Sequence, residues 1–529
     1  MDIRFQAGGS EQWRAQAVMA FGFEGEPFID GITELVSAAP WLTIAPAVRD
    51  FMGKKNELTV FYGHPGLAIP RVIAVGLGKR EAFSLQALRL AAATAMQRAY
   101  ELKLDTVALC VPQLDRLATE VLHANVALQG ADFAAADVVR LTEEAVCAAL
   151  LGLYRYNDMK SKPAQSEADV EADAEGKAPR WFALLFDGAS VDEQIHAAAR
   201  RGEAQAAGVC YTRDLVNGPA NTVTPVYLAD EAVKLAKRYA MSVNILTAAQ
   251  VTEMGMGCFA SVFNGSAAGT EHEARFIVLE HAPEGTENDA PLIFVGKGVT
   301  FDTGGISLKP GAKMHEMKSD MAGAGAVFGL FKALGESDIN RRVIGIMPCT
   351  ENMPDANATR PGDVVTSLSG KTVEILNTDA EGRLILCDAL TYAQNNWPNA
   401  TIIDLATLTG ACIVALGLDA AAVFCDDKAL TDAIIDAGHA CGDVYWPMPL
   451  WESAGAKLKN SVADIANIGT REGGSIQAAM FLKFFINKGV RWAHLDIAGP
   501  AYRGDHSALC RQGATGFAVR TLYGLVRGL

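Results

Sequence analysis

Hydrophobic residues along the first part of the chain alternate between the spacing of β-strands and that of α-helices. Short runs rich in apolar and β-branched residues at 58–62, 71–76 and 105–111 predict strands. Residues 81–102 place alanine and leucine at helical intervals, and helical spacing returns up to about Tyr154. The first part of the chain is therefore expected to alternate strands and helices.

Residues 160–180 interrupt this alternation. They are rich in Ala, Glu, Asp, Lys and Pro and show no apolar periodicity, which predicts an exposed and mobile insertion. A strand is predicted again at 181–186, and residues 191–215 have the pattern of a long helix. We expect this helix to link the two halves of the chain.

The second part, from about Asn217, is richer in glycine and alternates again. Apolar runs predict strands at 276–279, 292–295, 342–347, 401–405, 421–424 and 492–497. Helical spacing predicts helices at 225–239, 321–334, 384–395, 428–440 and 477–487. This alternation predicts an α/β fold with a largely parallel sheet, and ligands of such sheets bind at the carboxyl ends of the strands.

Length, charge and cysteine content narrow the class of protein. A chain of 529 residues is long enough for two domains, and half of its residues are hydrophobic, as in ordinary globular proteins. The net charge of −15 argues against nucleic acid as a partner, because an acidic surface repels phosphate backbones. The ten cysteines include no C-x-x-C pair, so neither a zinc finger nor a disulfide framework is predicted.

The sequence shows no export or membrane segment. Its first residues, Met-Asp-Ile-Arg-Phe-Gln, lack the basic and apolar regions of a signal peptide. No run approaches the ~20 consecutive apolar residues that a membrane-spanning helix needs. We therefore expect a cytoplasmic protein with no membrane partner.

Several familiar catalytic motifs are absent. His272-Glu273 begins like H-E-x-x-H, but Phe276 occupies the fifth position, so the paired histidines of that zinc motif are missing. Neither G-x-S-x-G nor the glycine-rich fingerprints of nucleotide-binding loops occur. The glycine- and alanine-rich run 323–326 predicts a helix that packs closely on a sheet.

Three segments place charged residues in apolar, glycine-rich surroundings. The first, 295–310, leaves a predicted strand, and its glycines allow tight turns between Lys297, Asp302 and Lys309. The second places Asp320 at the start of a predicted helix. The third, 377–384, reads Asn-Thr-Asp-Ala-Glu-Gly-Arg-Leu. Alternate side chains of an extended strand share a face, so the side chains of Asn377, Asp379, Glu381 and Arg383 are expected to point the same way.

These segments together offer four carboxylates: Asp302, Asp320, Asp379 and Glu381. Four carboxylates in one place would repel one another and raise one another's pKa values. Two divalent cations would balance this charge, and a pair of metal ions about 3.5–4 Å apart can activate water and polarise a carbonyl. The charge count therefore suits a two-metal hydrolase.

The same residues resemble those of the leucyl (cytosol) aminopeptidase family. The octapeptide 377–384 is similar to the family's signature, and the segments around Lys297 and Asp320 have the family's spacings. The resemblance continues through 217–221, 406–410 and 492–499, and so covers most of the chain after about residue 210. It implies a metallopeptidase that removes the N-terminal residue, preferably leucine or another neutral or hydrophobic residue, from peptides with a free N-terminus.

The resemblance also implies a set of metal ligands. Asp302 and Glu381 would bridge two divalent ions, while Asp320 and the amine of Lys297 would complete one site and Asp379 the other. Because an ammonium group has no lone pair, Lys297 would have to be a neutral amine. The candidate ions are Zn²⁺, Mn²⁺, Mg²⁺ and Co²⁺.

Two further side chains are implied to take part in catalysis. Lys309 would stay cationic and polarise the scissile carbonyl, and Arg383 would hold a bicarbonate ion that serves as general base. The implied substrate-binding residues are Ser307, Met317, Asn377, Thr407, Gly410 and Ala498. Ala501 departs from similar animal enzymes, which carry methionine at this position.

The architecture that the resemblance implies has two α/β domains. Residues 1–190 would form a macro-like N-terminal domain with the acidic insertion at 160–180. Residues 191–216 would form a linking helix, and residues 217–529 a larger catalytic domain with a mixed, largely parallel sheet. Six chains would assemble as a dimer of trimers.

Three other interpretations remain open. Some bacterial relatives bind DNA, although the acidic charge argues against this role here. A catalytically inactive hexameric scaffold is a second alternative, although every implied ligand and both catalytic side chains are present. A dinuclear phosphoesterase would use similar carboxylates, but such sites usually include histidine, and none lies in these motifs.

Overall fold

The structure is a computed structural model that describes residues 1–26, 28, 32–124, 138–161, 178–187 and 192–529. Most of the insertion expected at 160–180 therefore lies outside the described residues. The chain forms two compact units, the first made of Met1–Ala206 and Asp505–Arg511, the second of Ala207–Gly504 and Gln512–Leu529. The division falls within the helix Glu193–Asn217, which corresponds to the long helix expected at 191–215.

The described part of the first unit is built on a six-stranded sheet with the order β1-β6-β5-β2-β4-β3. Every neighbouring pair is parallel except β3 with β4. Its strands are β1 (Asp2–Gln6), β2 (Ala17–Phe23), β3 (Leu58–Tyr62), β4 (Arg71–Gly78), β5 (Thr106–Cys110) and β6 (Trp181–Leu185).

Helices cover the sheet of the first unit. They are α1 (Thr33–Ala38), α2 (Leu85–Glu101), α3 (Val111–Ala124) and α4 (Val138–Gly152), followed by α5 (Glu193–Asn217). Short 3₁₀ helices lie at Ser10–Gln12, Pro40–Ile44, Pro46–Arg49 and Arg80–Ala82. Ser84 begins α2, because its side chain accepts a hydrogen bond from the N–H of Ala87. The alanine- and leucine-rich face of α2 packs with α4 and the sheet in one apolar core.

The second unit contains a larger, mixed sheet, and the structure describes all of residues 207–529. Its central order is β16-β15-β18-β14-β9-β11-β8-β7, and β10 pairs with the far end of β11. The strands are β7 (Ser242–Thr247), β8 (Arg275–His281), β9 (Leu292–Gly296), β10 (Gly298–Asp302), β11 (Val343–Asn352), β14 (Thr401–Ala406), β15 (Ala420–Cys425), β16 (Val444–Pro447) and β18 (Arg491–Asp496).

Smaller strands and a set of helices complete the second unit. The remaining strands are β12 (Val364–Thr366), β13 (Thr372–Glu374), β17 (Ile465–Ala466), β19 (Tyr502–Arg503) and β20 (Gly513–Ala514). The helices are α6 (Pro225–Tyr239), α7 (Ala248–Glu253), α8 (Gly257–Phe263), α9 (Ala322–Gly335), α10 (Gly382–Asn396), α11 (Gly410–Leu416), α12 (Lys428–Cys441), α13 (Glu452–Gly455), α14 (Gly474–Lys483) and α15 (Val519–Gly528). Residues Met314–Met321 and Ala456–Leu458 form 3₁₀ helices.

The central strand β11 is buried along its whole length, because helices cover both faces of the sheet. Ile344 and Ile346 belong to the apolar core that α8 and α10 complete. Gly345, on the opposite face, lies against Val327 and Phe331 of α9. The strands in the centre are therefore apolar on both sides, and polar residues gather where these strands end.

Glycines allow α9 to approach both the sheet and α5 closely. A methyl group at Gly323 would lie 2.2 Å from the carbonyl oxygen of Leu405. This is the close packing of a helix on the sheet that the sequence pattern at 323–326 predicts. A methyl group at Gly329 would lie 2.1 Å from Thr212 Oγ1, and one at Gly208 would lie 2.4 Å from the carbonyl oxygen of Gly329. We call Gly208, Gly323 and Gly329 the glycine seam.

The predicted mixed α/β fold is confirmed, and the predicted strands and helices are found, with differences at some ends. The helix predicted at 477–487 is Gly474–Lys483, because the chain beyond it closes in turns, with the N–H of Phe485 bonded to the carbonyl of Leu482. The sequence analysis missed β1, β2, β7, β10 and β16, the short strands β12, β13, β17, β19 and β20, and helices α1, α7, α8, α11, α13 and α15. No helix among the described residues has the length and apolar character needed to cross a membrane.

Candidate active site

The charged segments meet where parallel strands of the second unit end. Lys297 follows β9, and Asp302 is the last residue of β10. Thr407 and Ala498 come shortly after β14 and β18, which run parallel to β9 and to each other. The site therefore forms at the carboxyl edge of the sheet, where ligands of such folds bind.

Lys297 is the buried centre of one half of the site. Its Nζ lies 2.8 Å from Asp320 Oδ1 and 2.7 Å from Glu381 Oε1, and it donates to the carbonyl oxygen of Thr407 at 3.0 Å. Only 2% of Lys297 is exposed. Its main chain is fixed as well, because its N–H donates to Leu405 and its carbonyl accepts from Ala324 at the start of α9.

Lys309 occupies the other half of the site. Its Nζ lies 2.8 Å from Asp302 Oδ2 and also pairs with Asp379. Asp302, Asp379 and Glu381 bring one carboxylate oxygen each to within 4.8 Å of one another. The two lysines thus flank a compact group of carboxylates.

Burial and mutual repulsion perturb these carboxyl groups. Burial, and then the charge of Glu381, raise the pKa of Asp302, although both lysines oppose this shift. Burial also raises the pKa values of Asp320 and Asp379. Burial alone would lower the pKa of Lys297, but the surrounding carboxylates outweigh it and raise that pKa above its usual range. The site therefore contains more buried negative charge than its own lysines balance.

These residues fit a pair of divalent cations. Asp320 Oδ2 and Glu381 Oε2 are buried and have no hydrogen-bond partner among the residues that the structure describes. Buried polar atoms are nearly always satisfied, so unpartnered carboxylate oxygens mark a place where another group binds. Carboxylates suit hard divalent ions, and an amine adds a nitrogen ligand once it has lost its proton.

The octapeptide is a turn rather than the extended strand that the sequence predicts. The N–H of Ala380 donates to the carbonyl of Asn377 at 3.3 Å, and the N–H of Asp379 donates to Asn377 Oδ1 at 2.8 Å. Glu381 already has helical dihedral angles where it precedes α10. The expected extended conformation is therefore wrong, and the carboxylates of Asp379 and Glu381 come together from the turn that leads into α10.

Arg383 lies in the first turn of α10 and is buried. Its Nη1 donates to the carbonyl oxygen of Asn467 at 2.7 Å, while its Nε has no partner among the described residues. Burial lowers the pKa of Arg383 to about 10. An anion beside this guanidinium would restore the lost solvation.

The residues expected to bind substrate surround these charged groups. Ser307 exchanges hydrogen bonds with Thr378, and Asn377 forms the turn before Asp379. Thr407 donates to Asp320 Oδ1 at 2.7 Å. Met317 shares the 3₁₀ helix of Asp320, and Gly410 and Ala498 follow the ends of β14 and β18.

Four buried residues that the sequence analysis did not single out support the site. Asn352 donates to Asp302 Oδ1 at 2.8 Å and to the carbonyl of Thr378. Asp496 accepts from the N–H groups of Leu408 and Ala498, which joins two loops of the substrate region. Thr378 and Asn467 hold the octapeptide. Asn352 breaks the apolar run of β11, which is a signal that could have been noticed, whereas Asn467 has none.

A second group of possible metal ligands lies in the apolar core. Cys258, Cys387 and Asp388 bring their sulfur and oxygen atoms to within 4.8 Å of one another. Both oxygens of Asp388 are already bonded to main-chain N–H groups, those of Phe259 and Leu368. The carboxylate fixes the start of α8 and a neighbouring loop, so we assign this group a structural role.

Sequence comparisons relate the chain to one family of known proteins. The catalytic domain of the cytosol aminopeptidase family matches residues 210–523, and the family's N-terminal domain matches residues 23–163. A probable cytosol aminopeptidase of Nitratidesulfovibrio vulgaris is 58% identical over 527 residues, covering 99% of both chains. One from Oleidesulfovibrio alaskensis is 52% identical and covers 99% of this chain and 97% of that protein.

Solved structures give the same result. A tomato leucine aminopeptidase mutant is 34% identical, with a TM-score of 0.82, and the match covers 99% of this chain and 96% of the other. The bottromycin maturation enzyme BotP in complex with Mn is 33% identical, with a TM-score of 0.79, and covers 97% of this chain and 99% of its own. By its sequence over both domains and by its fold, this chain belongs to the cytosol aminopeptidase family.

Proposed function

We propose that the chain is a two-metal aminopeptidase that removes the N-terminal residue from peptides, with leucine and other neutral or hydrophobic residues preferred. The observation that carries this proposal is the convergence of four buried groups and one half-buried carboxylate from three separate segments, flanked by two basic side chains. The five groups are Lys297, Asp302, Asp320, Asp379 and Glu381. Family membership and a relative solved in complex with Mn support divalent metal ions as the cofactors.

Each of the five groups has a distinct proposed role. Asp302 and Glu381 would hold both cations, Asp320 and the neutral amine of Lys297 would complete one site, and Asp379 would complete the other. The unpartnered oxygens of Asp320 and Glu381 support these assignments. When bound, Zn²⁺, Mn²⁺, Mg²⁺ or Co²⁺ would supply positive charge that polarises the scissile carbonyl and lowers the pKa of water.

The two basic side chains act on the reacting groups. Lys309 is only partly buried, and it lies beside Asp302 and Asp379 at the open side of the cluster. Its ammonium can therefore stabilise the negative charge that develops on the carbonyl oxygen in the transition state. Arg383 would hold an anion, for which bicarbonate is the proposed species, and such an anion would supply a general base beside the cluster.

The substrate lies against loops at the ends of β14 and β18. Met317, Thr407, Gly410 and Ala498 line the pocket for the first side chain, and Ser307 and Asn377 contribute from the opposite loops. Ala501, which stands where similar animal enzymes carry methionine, is buried, and the four pocket residues carry no charge. Neutral and apolar N-terminal residues should therefore be preferred.

We further propose that six chains assemble as a dimer of trimers in the cytoplasm. The relatives are named cytosol aminopeptidases. Val414, Trp446 and Trp451 of the second unit are large apolar side chains with 59–89% exposure, and such surfaces mark protein contacts. Trp446 lies on the edge strand β16, a position that native proteins usually cover.

Hydrolysis of leucyl amide by the metal-stripped protein tests the proposed activity. No turnover is expected until Zn²⁺, Mn²⁺ or Co²⁺ is added, and Glu381→Ala should stay inactive with every ion. Near-normal turnover of pure Glu381→Ala would refute the two-metal assignment. A salt-sensitive shift of a DNA probe, without peptidase activity, would favour the DNA-binding alternative instead.

A further inference from the structure

Asn467 connects the octapeptide to the rest of the second unit. It follows the short strand β17, and its N–H donates to the carbonyl of Glu374 at 3.0 Å. Its side chain is completely buried. Oδ1 accepts from the N–H of Leu376 at 2.9 Å, and Nδ2 donates to the carbonyl of Asn377 at 2.7 Å. Longer contacts of 3.4 and 3.5 Å reach the N–H of Asn377 and the carbonyl of Ala380.

The main chain of the same residue contacts Arg383. The carbonyl oxygen of Asn467 accepts from Arg383 Nη1 at 2.7 Å, and this is the bond that orients the buried guanidinium. The side chain of Asn467 thus contacts the turn that carries Asp379 and Glu381. Its backbone carbonyl contacts the guanidinium of Arg383. Displacement of Asn467 would move both together.

We propose that Asn467 is a positioning residue that sets the distance between the octapeptide carboxylates and the guanidinium of Arg383. This inference rests on the proposed function. It goes beyond that function, because Asn467 touches neither substrate nor reacting atoms and acts only through the turn and Arg383. A displacement of about 1 Å in such a site can cost about a hundredfold in rate.

Only an amide of this length satisfies the turn. The site needs an acceptor for one N–H and a donor for one carbonyl on the same short, rigid group. The substitution Asn467→Asp would keep the acceptor but would place an oxygen against the carbonyl of Asn377, with no donor. This isosteric change therefore perturbs the turn without changing the volume of the core.

Gln394 offers a matched control. It is also a buried amide, its Nε2 donates to the carbonyls of Leu390 and Phe485, and its Oε1 accepts from the N–H of Asn487. It lies in the apolar core and contacts none of the proposed ligands. Gln394→Glu should therefore lose stability in the same way as Asn467→Asp, with no specific effect on the site.

The test measures three properties of the wild-type protein and of both variants. They are the melting temperature, the dissociation constant for Mn²⁺ by equilibrium dialysis, and kcat and KM for leucyl amide. We expect Asn467→Asp to lower kcat by roughly tenfold or more, to change KM by less than about threefold and to weaken Mn²⁺ binding by roughly tenfold. Gln394→Glu should keep wild-type kcat and Mn²⁺ affinity at a comparable loss of melting temperature.

Two outcomes with folded variants would overturn the inference. One is a folded Asn467→Asp with wild-type kcat and Mn²⁺ affinity, and the other is an equal loss of both in Gln394→Glu. If Asn467→Asp does not fold, Asn467→Ala and Gln394→Ala replace the pair, since neither introduces a charge. Failure of both Asn467 variants to fold, while both Gln394 variants fold, would show that Asn467 supports the domain and not the site. Inactivity of the wild-type protein with every metal ion would instead reject the proposed function.

Discussion

Substitution of Lys297 distinguishes an amine that ligates a metal ion from an ammonium that only forms ion pairs. Lys297→Ala leaves Glu381 Oε1 and the carbonyl of Thr407 without their donor, and Asp320 Oδ1 with only the hydroxyl of Thr407, in a place where only 2% of the lysine was exposed. Loss of one partner of a buried ion pair costs about 3–5 kcal/mol. The free energy of unfolding of metal-free Lys297→Ala should therefore be lower than that of the metal-free wild-type protein by about that amount.

Lys297→Arg separates the two roles because it keeps the positive charge. If Lys297 only pairs with the two carboxylates, arginine should recover much of the stability and most of the activity. A guanidinium has no lone pair, however, and cannot ligate a metal ion. Arginine is also larger than lysine, and the lysine side chain already packs tightly on Gly382. Its Cε would lie only 2.7 Å from a methyl group added at Gly382. Lys297→Arg should therefore impair metal binding at least as much as Lys297→Ala.

The assay is the number of Mn²⁺ ions bound per chain, measured for both variants beside the rate of leucyl amide hydrolysis. Lys332→Arg serves as a control, since Lys332 also pairs with a carboxylate, that of Glu336, but lies in α9 away from the cluster. Both Lys297 variants should bind fewer ions than the wild-type protein, and Lys332→Arg should bind as many. Two ions per chain and wild-type turnover in Lys297→Arg would refute the ligand role.

Four further results are expected. Lys309→Ala and Arg383→Ala should still bind metal ions but lose roughly two powers of ten in kcat, as turnover and equilibrium dialysis will show; loss of metal from either variant would contradict its role. Light scattering should give about 340 kDa, six times the 56.1 kDa chain, rather than the mass of a monomer. Acetyl-leucyl amide should not be cleaved, since the substrate needs a free α-amine, and its efficient hydrolysis would reject that requirement. Burial raises the pKa of Asp388 to about 7, so the stability that this group contributes below about pH 4 is lost as the pH rises to 7. In urea unfolding, this group should make the free energy of unfolding about 2–3 kcal/mol lower at pH 8 than at pH 5. If Asp388→Asn shows the same difference between the two pH values as the wild-type protein, Asp388 is not its source.

Much of the fold and of the site could be predicted because its signals are local. The central strands of the second unit are buried on both faces, so they are unbroken apolar runs that stand out in the sequence. Charged residues interrupt the apolar, glycine-rich surroundings, and the number of carboxylates alone indicates a need for cations. The predicted ligands come from the ends of β9 and β10, from the 3₁₀ helix before α9 and from the turn before α10, which meet at one edge of the sheet.

The groups that orient the ligands could not be predicted, because they come from distant parts of the chain. Asn467 contacts Asn377, 90 residues away, and Asn352 contacts Asp302, 50 residues away. A buried asparagine has no periodic pattern, and only the folded chain shows what it contacts. The conformation of the octapeptide was mispredicted for the same reason, since Asn467 and Ser307 fix it as a turn.

The glycine seam shows that a substitution outside the active-site residues can still be damaging. Its effect depends on how closely α9 packs against α5 and the sheet at that position. Gly208, Gly323 and Gly329 contribute no functional group, yet even one added carbon at any of them meets an oxygen atom at 2.1–2.4 Å. An enlarged side chain would lift α9 from its neighbours, and with it the adjoining 3₁₀ helix that carries Asp320. A substitution at any of these glycines would therefore have to be accompanied by a change in the surface that the glycine faces.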